Sequence, residues 1–303
     1  MMTNTGLGEK ASTHTVEMPN INYKKAGEYE FLTEYLKAMS FRYRTIMLDT
    51  LGSSVMKKEI PVVTLGARKN SPGVIYVGGF EGDDTVSPAV LLRFIDDYAQ
   101  SLEAGRRVYS VSMPFLYEMR TIHIIPMLNP DGYVIRKEGV ENIPNADALL
   151  EKNGGDDFSS WKYSARGVDL ERSFSINGTV GGEFACANDP ETVALTRYVG
   201  MASVGVFGEI KLALSFIRNG SGIRFRSRRN MAPRAKTIGR LLERMMCEDR
   251  GEGELTPGGF SEWFVNQINR PAFDIGCGGV SADDYVNLYA SLREVLFSSP
   301  LLI

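Results

Sequence analysis

The segment Val77 to Asp84, VGGFEGDD, constrains the fold more than any other stretch of the chain. An apolar run of β-type residues, Gly73 to Val77, enters it, and such a run predicts a strand buried on both faces. A helix signal leaves it, with Ser87 as the expected N-cap and Pro88 as the first helical residue. Strand, glycine turn and helix form the unit of an open α/β sheet, in which sites gather at the carboxyl ends of strands. Glu81, Asp83 and Asp84 stand at that end.

The same alternation continues along the chain. Tyr23 to Phe41 has helical spacing, with Phe31, Leu32, Tyr35, Leu36 and Met39 on one stripe. Thr45 to Leu51 and Ile60 to Leu65 read as a hairpin or neighbouring strands. Pro88 to Leu102 is an amphipathic helix. Arg120 to Met127 is a buried strand, which the turn residues Asn129-Pro130-Asp131-Gly132 are expected to end. Glu138 to Phe174 reads as loop around Asn153-Gly154-Gly155-Asp156. A helix capped by Asn188 or Asp189 starts at Pro190, and Val206 to Phe216 is a central strand. Then come a helix over Ala232 to Cys247, a turn and short helix over Gly258 to Asn266, a strand over Ala272 to Ile275 and a closing helix over Asp283 to Leu296.

No linker or internal repeat divides this pattern. It predicts one α/β domain over residues 21–303, a mostly parallel mixed sheet with helices on both faces, behind a flexible polar tail at 1–20. With 43% hydrophobic residues among 303, the chain can bury a sizeable core. A net charge of -3 offers no basic field for nucleic acid. Cys186, Cys247 and Cys277 are too few and scattered for a disulfide framework. No run reaches the roughly 18 apolar residues of a membrane span, and the N-terminus has no apolar signal core. A soluble, cytoplasmic protein is expected, with no membrane partner and no signal for an oligomeric state.

Several motifs occur in a fixed order: GGFEGDD with its Ser-Pro helix, IIPMLNPDGY, WKYSARGVDLERSF, DPET, LALSF, PGGFSEW and PAFDIGCGG. Each is weak alone. Together they resemble the zinc metallocarboxypeptidases related to carboxypeptidase A, in particular the bacterial branch that trims γ-D-glutamyl-diamino-acid peptides. The resemblance runs from about residue 23 to residue 300. It implies a central mixed sheet of about eight strands.

It also implies a chemistry. Family members hold zinc with two histidines and a glutamate, leaving a position open for water, and a second glutamate takes the proton from that water. At the matching positions this chain has Glu81 for the first histidine, Asp84 for the glutamate, Ile217 for the second histidine and Gly276 for the base. Asp84 is shorter than glutamate by roughly 1.5 Å. Ile217 has no lone pair and Gly276 no side chain. The two histidines of the chain lie elsewhere, His14 in the tail and His123 inside a strand. No bound zinc and no catalytic residue are therefore expected.

The implied substrate grip is half retained. Gly167-Val168-Asp169-Leu170 is followed by Glu171 and Arg172 where the family has an Asn-Arg pair. Arg172 keeps a fork able to grasp a carboxylate, whereas Glu171 would repel it. Lys162 matches the region of the arginine that stabilises the oxyanion, Ser261 stands near the floor of the side-chain pocket, and Glu254 falls near a mobile tyrosine. The expected ligand is a peptide with a free carboxylate.

The basic run Arg218, Arg224, Arg226, Arg228, Arg229 reads as a solvated loop. Buried acids without a metal need partners, so Arg218 or Arg172 is expected beside Glu81, Asp84 or Glu171. Cys277 has no histidine to activate it as a nucleophile. These residues describe a carboxypeptidase fold turned to peptide binding, scaffolding or regulation. The alternative is an active metallocarboxypeptidase with an atypical metal site.

Overall fold

The computed structural model of the chain describes residue 25 and residues 27–67, 70–141, 143–174, 188–203, 208–226, 232–246, 253–278 and 285–303. The expected tail, His14, Cys186, Cys247, Arg228 and Arg229 lie outside the described residues.

Helix α1 (Tyr29–Arg42) is followed by the strands β1 (Ile46–Ser53), β2 (Glu59–Leu65) and β3 (Gly73–Val77), then by α2 (Val86–Glu103). A two-stranded ribbon of β4 (Arg107–Val108) and β5 (Val111–Ser112) leads to α3 (Met113–Met119) and β6 (Thr121–Ile125). Next come α4 (Pro130–Glu138), α5 (Ala146–Asn153) and α6 (Pro190–Ser203). The last part holds β7 (Ile210–Ile217), β8 (Ser221–Arg226), α7 (Ala235–Met245), β9 (Gly253–Glu254), α8 (Phe260–Ile268), β10 (Ala272–Cys277) and α9 (Tyr285–Ser298).

Eight strands form one mixed sheet in the order β1-β2-β6-β3-β7-β10-β8-β9. The middle, β6-β3-β7-β10, is parallel, and β1, β2 and β8 join antiparallel to their inner neighbours. Alternation along each strand decides what faces which helices. Val74, Tyr76, Leu212, Leu214, Phe216, Phe273 and Ile275 enter the core shared with α1, α2, α3, α7 and α9. Ile75, Val77, Ala213 and Ala272 face the opposite core, with Leu195 and Val199 of α6 and Phe260, Phe264 and Val265 of α8. On that second face, at the carboxyl ends of the parallel strands, the site forms.

The single α/β domain with a mixed sheet is as the sequence predicts. Four local expectations are corrected. Ser87 lies inside the first turn of α2, because the Asp84 carboxylate, rather than Ser87, accepts the free N–H groups of Val86 and Ser87. Asn129-Pro130-Asp131-Gly132 opens α4 instead of ending in a turn: Asn129 Oδ1 accepts from Gly132 N, and Pro130 takes the first helical position. The loop over 138–174 contains α5, closed by Gly154 in the left-handed conformation. The basic run around Arg224 is a strand, β8, whose Ile223 and Phe225 enter the core while Arg224 alternates out.

The α2 face is dominated by aromatic packing. The Phe94 ring meets Phe297 at 5.1 Å, Tyr76 at 5.7 Å and Tyr98 at 5.8 Å between centroids. Phe94→Ala is expected to cost about 3–5 kcal/mol through lost burial and the cavity left behind, measured as a drop in the urea unfolding midpoint.

Candidate functional site

Beyond β3 the chain turns sharply at Gly78 to Asp84. Gly82 lies so close to the first turn of α4 that a Cβ there would stand 2.5 Å from the carbonyl carbon and oxygen of Gly132. Its N–H donates to Lys162 O at 3.0 Å. Asn129 fastens the same junction, with Nδ2 donating to Phe80 O at 3.0 Å. Three segments, the β3 turn, the start of α4 and the loop at Trp161 to Tyr163, thus meet backbone to backbone. The acids of the turn are held by that junction.

Each acid has a different fate. Both Asp84 oxygens are engaged, Oδ1 with Val86 N and Ser87 N, Oδ2 with the Ser87 hydroxyl. Ser87 Oγ in turn accepts from Gly79 N. Glu81 is buried, accepts from Asn219 Nδ2 at 3.2 Å and lies 4.0 Å from Lys162 Nζ. Burial, joined by repulsion from Glu171, Asp83 and Asp84 and opposed by Lys162, pushes its carboxyl up to about 8. Asp83 pairs with Arg218 Nη1 at 3.1 Å.

Ile217 and Gly276 are register partners in the parallel pair of β7 and β10. Both are buried. The turn between β7 and β8 folds directly over this corner. A Cβ on Gly276 would stand 2.6 Å from the Gly220 carbonyl and from Ser221 N. The Gly220 carbonyl accepts from Gly278 N, and the Asn219 carbonyl accepts from Arg224 Nη2 at 3.1 Å. Main chain thus fills the space where a side chain from position 276 would project.

A buried polar chain lies behind the corner. Ser215 Oγ and Ser261 Oγ are 2.8 Å apart. Ser261 also bonds Asp274, which accepts from Thr256 N at 2.7 Å, and the Thr256 hydroxyl donates to Glu171 at 3.3 Å. Burial raises the Asp274 carboxyl, against its hydrogen bonds. Burial likewise pushes Glu171 up to about 7, with repulsion from Asp274 and Asp169 adding to it and Arg172 drawing it back. Arg172 itself is exposed.

The predicted residues Glu81, Asp84, Ile217, Gly276, Lys162 and Glu171 are brought together beyond the carboxyl ends of β3, β7 and β10. Ser261 is fully buried and bonded within the polar chain, and Glu254 sits in β9 at the sheet's edge. The expectation for Arg218 is corrected: its ion pair goes to Asp83, because Asp84 is consumed in capping α2 and Glu81 is served by Lys162 and Asn219. His123 is inside β6, its Nδ1 2.8 Å from the Tyr198 hydroxyl, and burial lowers it to about 4. Asn219, Thr256 and Asp274 lay outside the sequence-based expectation. The acid in PAFDIG and the Arg-Asn pair after LSFI were the available signals.

These residues do not fit the zinc centre that the family resemblance implies. Ile217 offers no donor, both Asp84 oxygens are bonded within the protein, and position 276 has no room for a side chain. Among the described residues no group of three or more His, Cys, Asp or Glu is arranged to hold a metal ion. What the arrangement offers is hydrogen-bonding and charged groups around a cleft.

Two outcomes follow from this geometry. Glu81 and Glu171 titrate higher when folded than their ordinary 4.5. Their neutral forms favour folding, so that stability is complete below pH 4.5 and is lost as pH rises to about 7 for Glu171 and about 8 for Glu81. The loss per group is at most about 1.4 kcal/mol per pH unit. Urea midpoints between pH 4.5 and 8 should fall in the wild type, and Glu81→Gln should flatten the upper part of the curve. Gly276→Ala should cost about 1–3 kcal/mol by overpacking, seen in the same unfolding assay.

Comparison with known proteins agrees with this architecture. A model of the family described as zinc carboxypeptidase matches residues 32–209. The gamma-D-glutamyl-L-diamino acid endopeptidase 1 of Lysinibacillus sphaericus is 24% identical over 274 residues, which cover 85% of this chain and 67% of that protein. Carboxypeptidase D of Homo sapiens is 32% identical over 128 residues, 42% of this chain and 8% of that much longer protein. Thrombin activatable fibrinolysis inhibitor has a crystal structure that superposes with a TM-score of 0.70 at 16% identity, covering 94% of this chain and 80% of that one. The last likeness is one of fold. With the family match extending over more than half of its length, the chain belongs to the zinc carboxypeptidase family.

Proposed function

We propose that this chain is a family member without zinc-dependent turnover, a pseudopeptidase whose cleft binds peptides, including fragments of cell-wall type, or serves as a scaffold or regulator. The reading rests on one observation above the others. Ile217 and Gly276, side by side in β7 and β10, bring neither a donor nor a base, and the Gly220–Ser221 main chain lies against Gly276. Peptidase chemistry needs a polarising ion and a proton acceptor at one carbonyl, and that corner supplies no group for the second task. A fold does not carry its chemistry without the site.

The junction at Gly82 keeps the cleft's shape, and Arg172 is exposed and able to grasp a terminal carboxylate through paired hydrogen bonds. The ligand class assigned here is therefore a peptide with a free carboxylate. The similarity to the gamma-D-glutamyl-L-diamino acid endopeptidase 1 of Lysinibacillus sphaericus makes gamma-D-glutamyl-diamino acid peptides the first to try. No helix among the described residues is long and apolar enough to cross a membrane. With only three scattered cysteines in the sequence, a cytoplasmic location goes with this reading.

The deciding experiment measures metal content of the purified protein and its activity, with added zinc, on acyl-γ-D-glutamyl-diaminopimelate peptides and C-terminal dipeptides. Substoichiometric zinc and no zinc-dependent cleavage are expected; stoichiometric zinc with metal-dependent cleavage would overturn the reading. The triple change Glu81→His, Asp84→Glu and Ile217→His should raise zinc affinity without conferring cleavage, because position 276 still lacks a base. Arg172→Gln should weaken peptide binding about 10-fold, the size of a charged hydrogen bond, by calorimetric titration.

A further inference from the structure

At the amino ends of β7 and β10, the end of the sheet opposite the cleft, lies a cavity of about 200 Å³. Lys211, Arg234, Asn269 and Arg270 form its polar wall, and Ile238 and Leu302 belong to its apolar wall. No acid among the described residues lines it. Lys211 precedes Ile217 by six residues on β7. At about 3.3 Å per residue, the cavity is roughly 20 Å from the corner of the cleft.

The charges here do not cancel. Glu209, outside the wall, accepts from Arg270 Nε at 3.0 Å and from Arg270 Nη2 on one oxygen, while Lys211 Nζ lies 3.8 Å from the other. One carboxylate thus serves two cations. Ile303 O, at the cavity's border, accepts from Arg120 Nη2 at 3.3 Å, so any charge there is met. Arg234 is left over: it is exposed, and its guanidinium has no partner among the described residues. Lys211, Arg270 and Arg234 against Glu209 leave two positive charges at the cavity.

Arg234 is also held in an unusual backbone conformation. Its φ of 66° is in the left-handed region, where a side chain costs energy that glycine avoids. The side chain does not cap α7 in return. Asn269, which closes α8, adds a neutral amide to the same wall.

We propose that this cavity binds a phosphate monoester, with the phosphate on Arg234, Lys211 and Asn269 and the ester's apolar body toward Ile238 and Leu302. A guanidinium fork and an ammonium suit phosphate oxygens. A carboxylate would answer only one of the two surplus charges, whereas a phosphate monoester above its second ionisation, near pH 6, answers both. This site is independent of what the cleft binds.

The test titrates the full chain by calorimetry with phenyl phosphate and with inorganic phosphate at low ionic strength. Phenyl phosphate should bind at one site, and its affinity should rise about 10-fold from pH 5 to pH 7.5 as the dianion forms. Inorganic phosphate should bind about 5-fold more weakly, because it buries no apolar surface. Arg234→Gln and, separately, Lys211→Gln should each weaken phenyl phosphate about 10-fold, the worth of a charged hydrogen bond. Arg234→Gly relieves the backbone and should show the same loss, which keeps the test open if the glutamine variant melts early. Arg172→Gln, in the cleft, should leave phenyl phosphate binding unchanged. Absence of phenyl phosphate binding, or binding that survives the Arg234 and Lys211 variants, overturns the site. Equal affinity for the two phosphates overturns the ester as its ligand.

Discussion

The cleft depends on a contact between main chains. Gly82 and Gly132 approach so closely that neither the β3 turn nor the start of α4 can move without the other, and the loop at Trp161 to Tyr163 is bonded into the same junction. Glycine is required on steric grounds, since any Cβ at position 82 would meet backbone that has no rotamer to change. Asn129 adds the polar half, capping α4 with its oxygen and holding Phe80 with its amide nitrogen. Glu81, Asp83 and Lys162, which lie on these segments, take their positions from that junction.

Buried acids are costly unless they are partnered or protonated, and this cleft uses several remedies at once. Asp84 is absorbed by a helix N-terminus, where amide groups and the helix dipole favour negative charge. Asp83 is paired with an arginine. Glu81 and Glu171, with weaker partners, move toward neutrality as their proton affinity rises. Asp274 is satisfied by Thr256 and Ser261, deep behind the corner. The buried acids of this site are thus met by a set of small local solutions rather than by one large one.

Much of this was legible in the sequence. Gly73 to Val77 announced a central strand by its unbroken apolarity, and the amphipathic spacing of Pro88 to Leu102 announced α2. The ordered motifs pointed to the family, because such motifs mark turns whose chemistry is local. What escaped was set by partners distant in sequence. β8 was hidden because its arginines alternate with Ile223 and Phe225, a period-2 pattern that charge alone masked. The partner of Arg218 depended on Asp84 being already committed to α2, which requires knowing where that helix begins. The polar chain from Ser215 to Glu171 joins residues from four separate segments, and no local pattern reports it.

The turn at Gly220 and Ser221 has a consequence for the history open to this sequence. A lost side chain can return by a single codon change, but a space filled by main chain cannot be reopened that way. For any descendant of this chain, a carboxylate at position 276 meets backbone at 2.6 Å, so it brings harm before benefit until the preceding turn has been rerouted. The order of events is therefore constrained, with a backbone rearrangement required before position 276 can accept a side chain. The corner therefore resists that substitution for as long as the turn keeps its course.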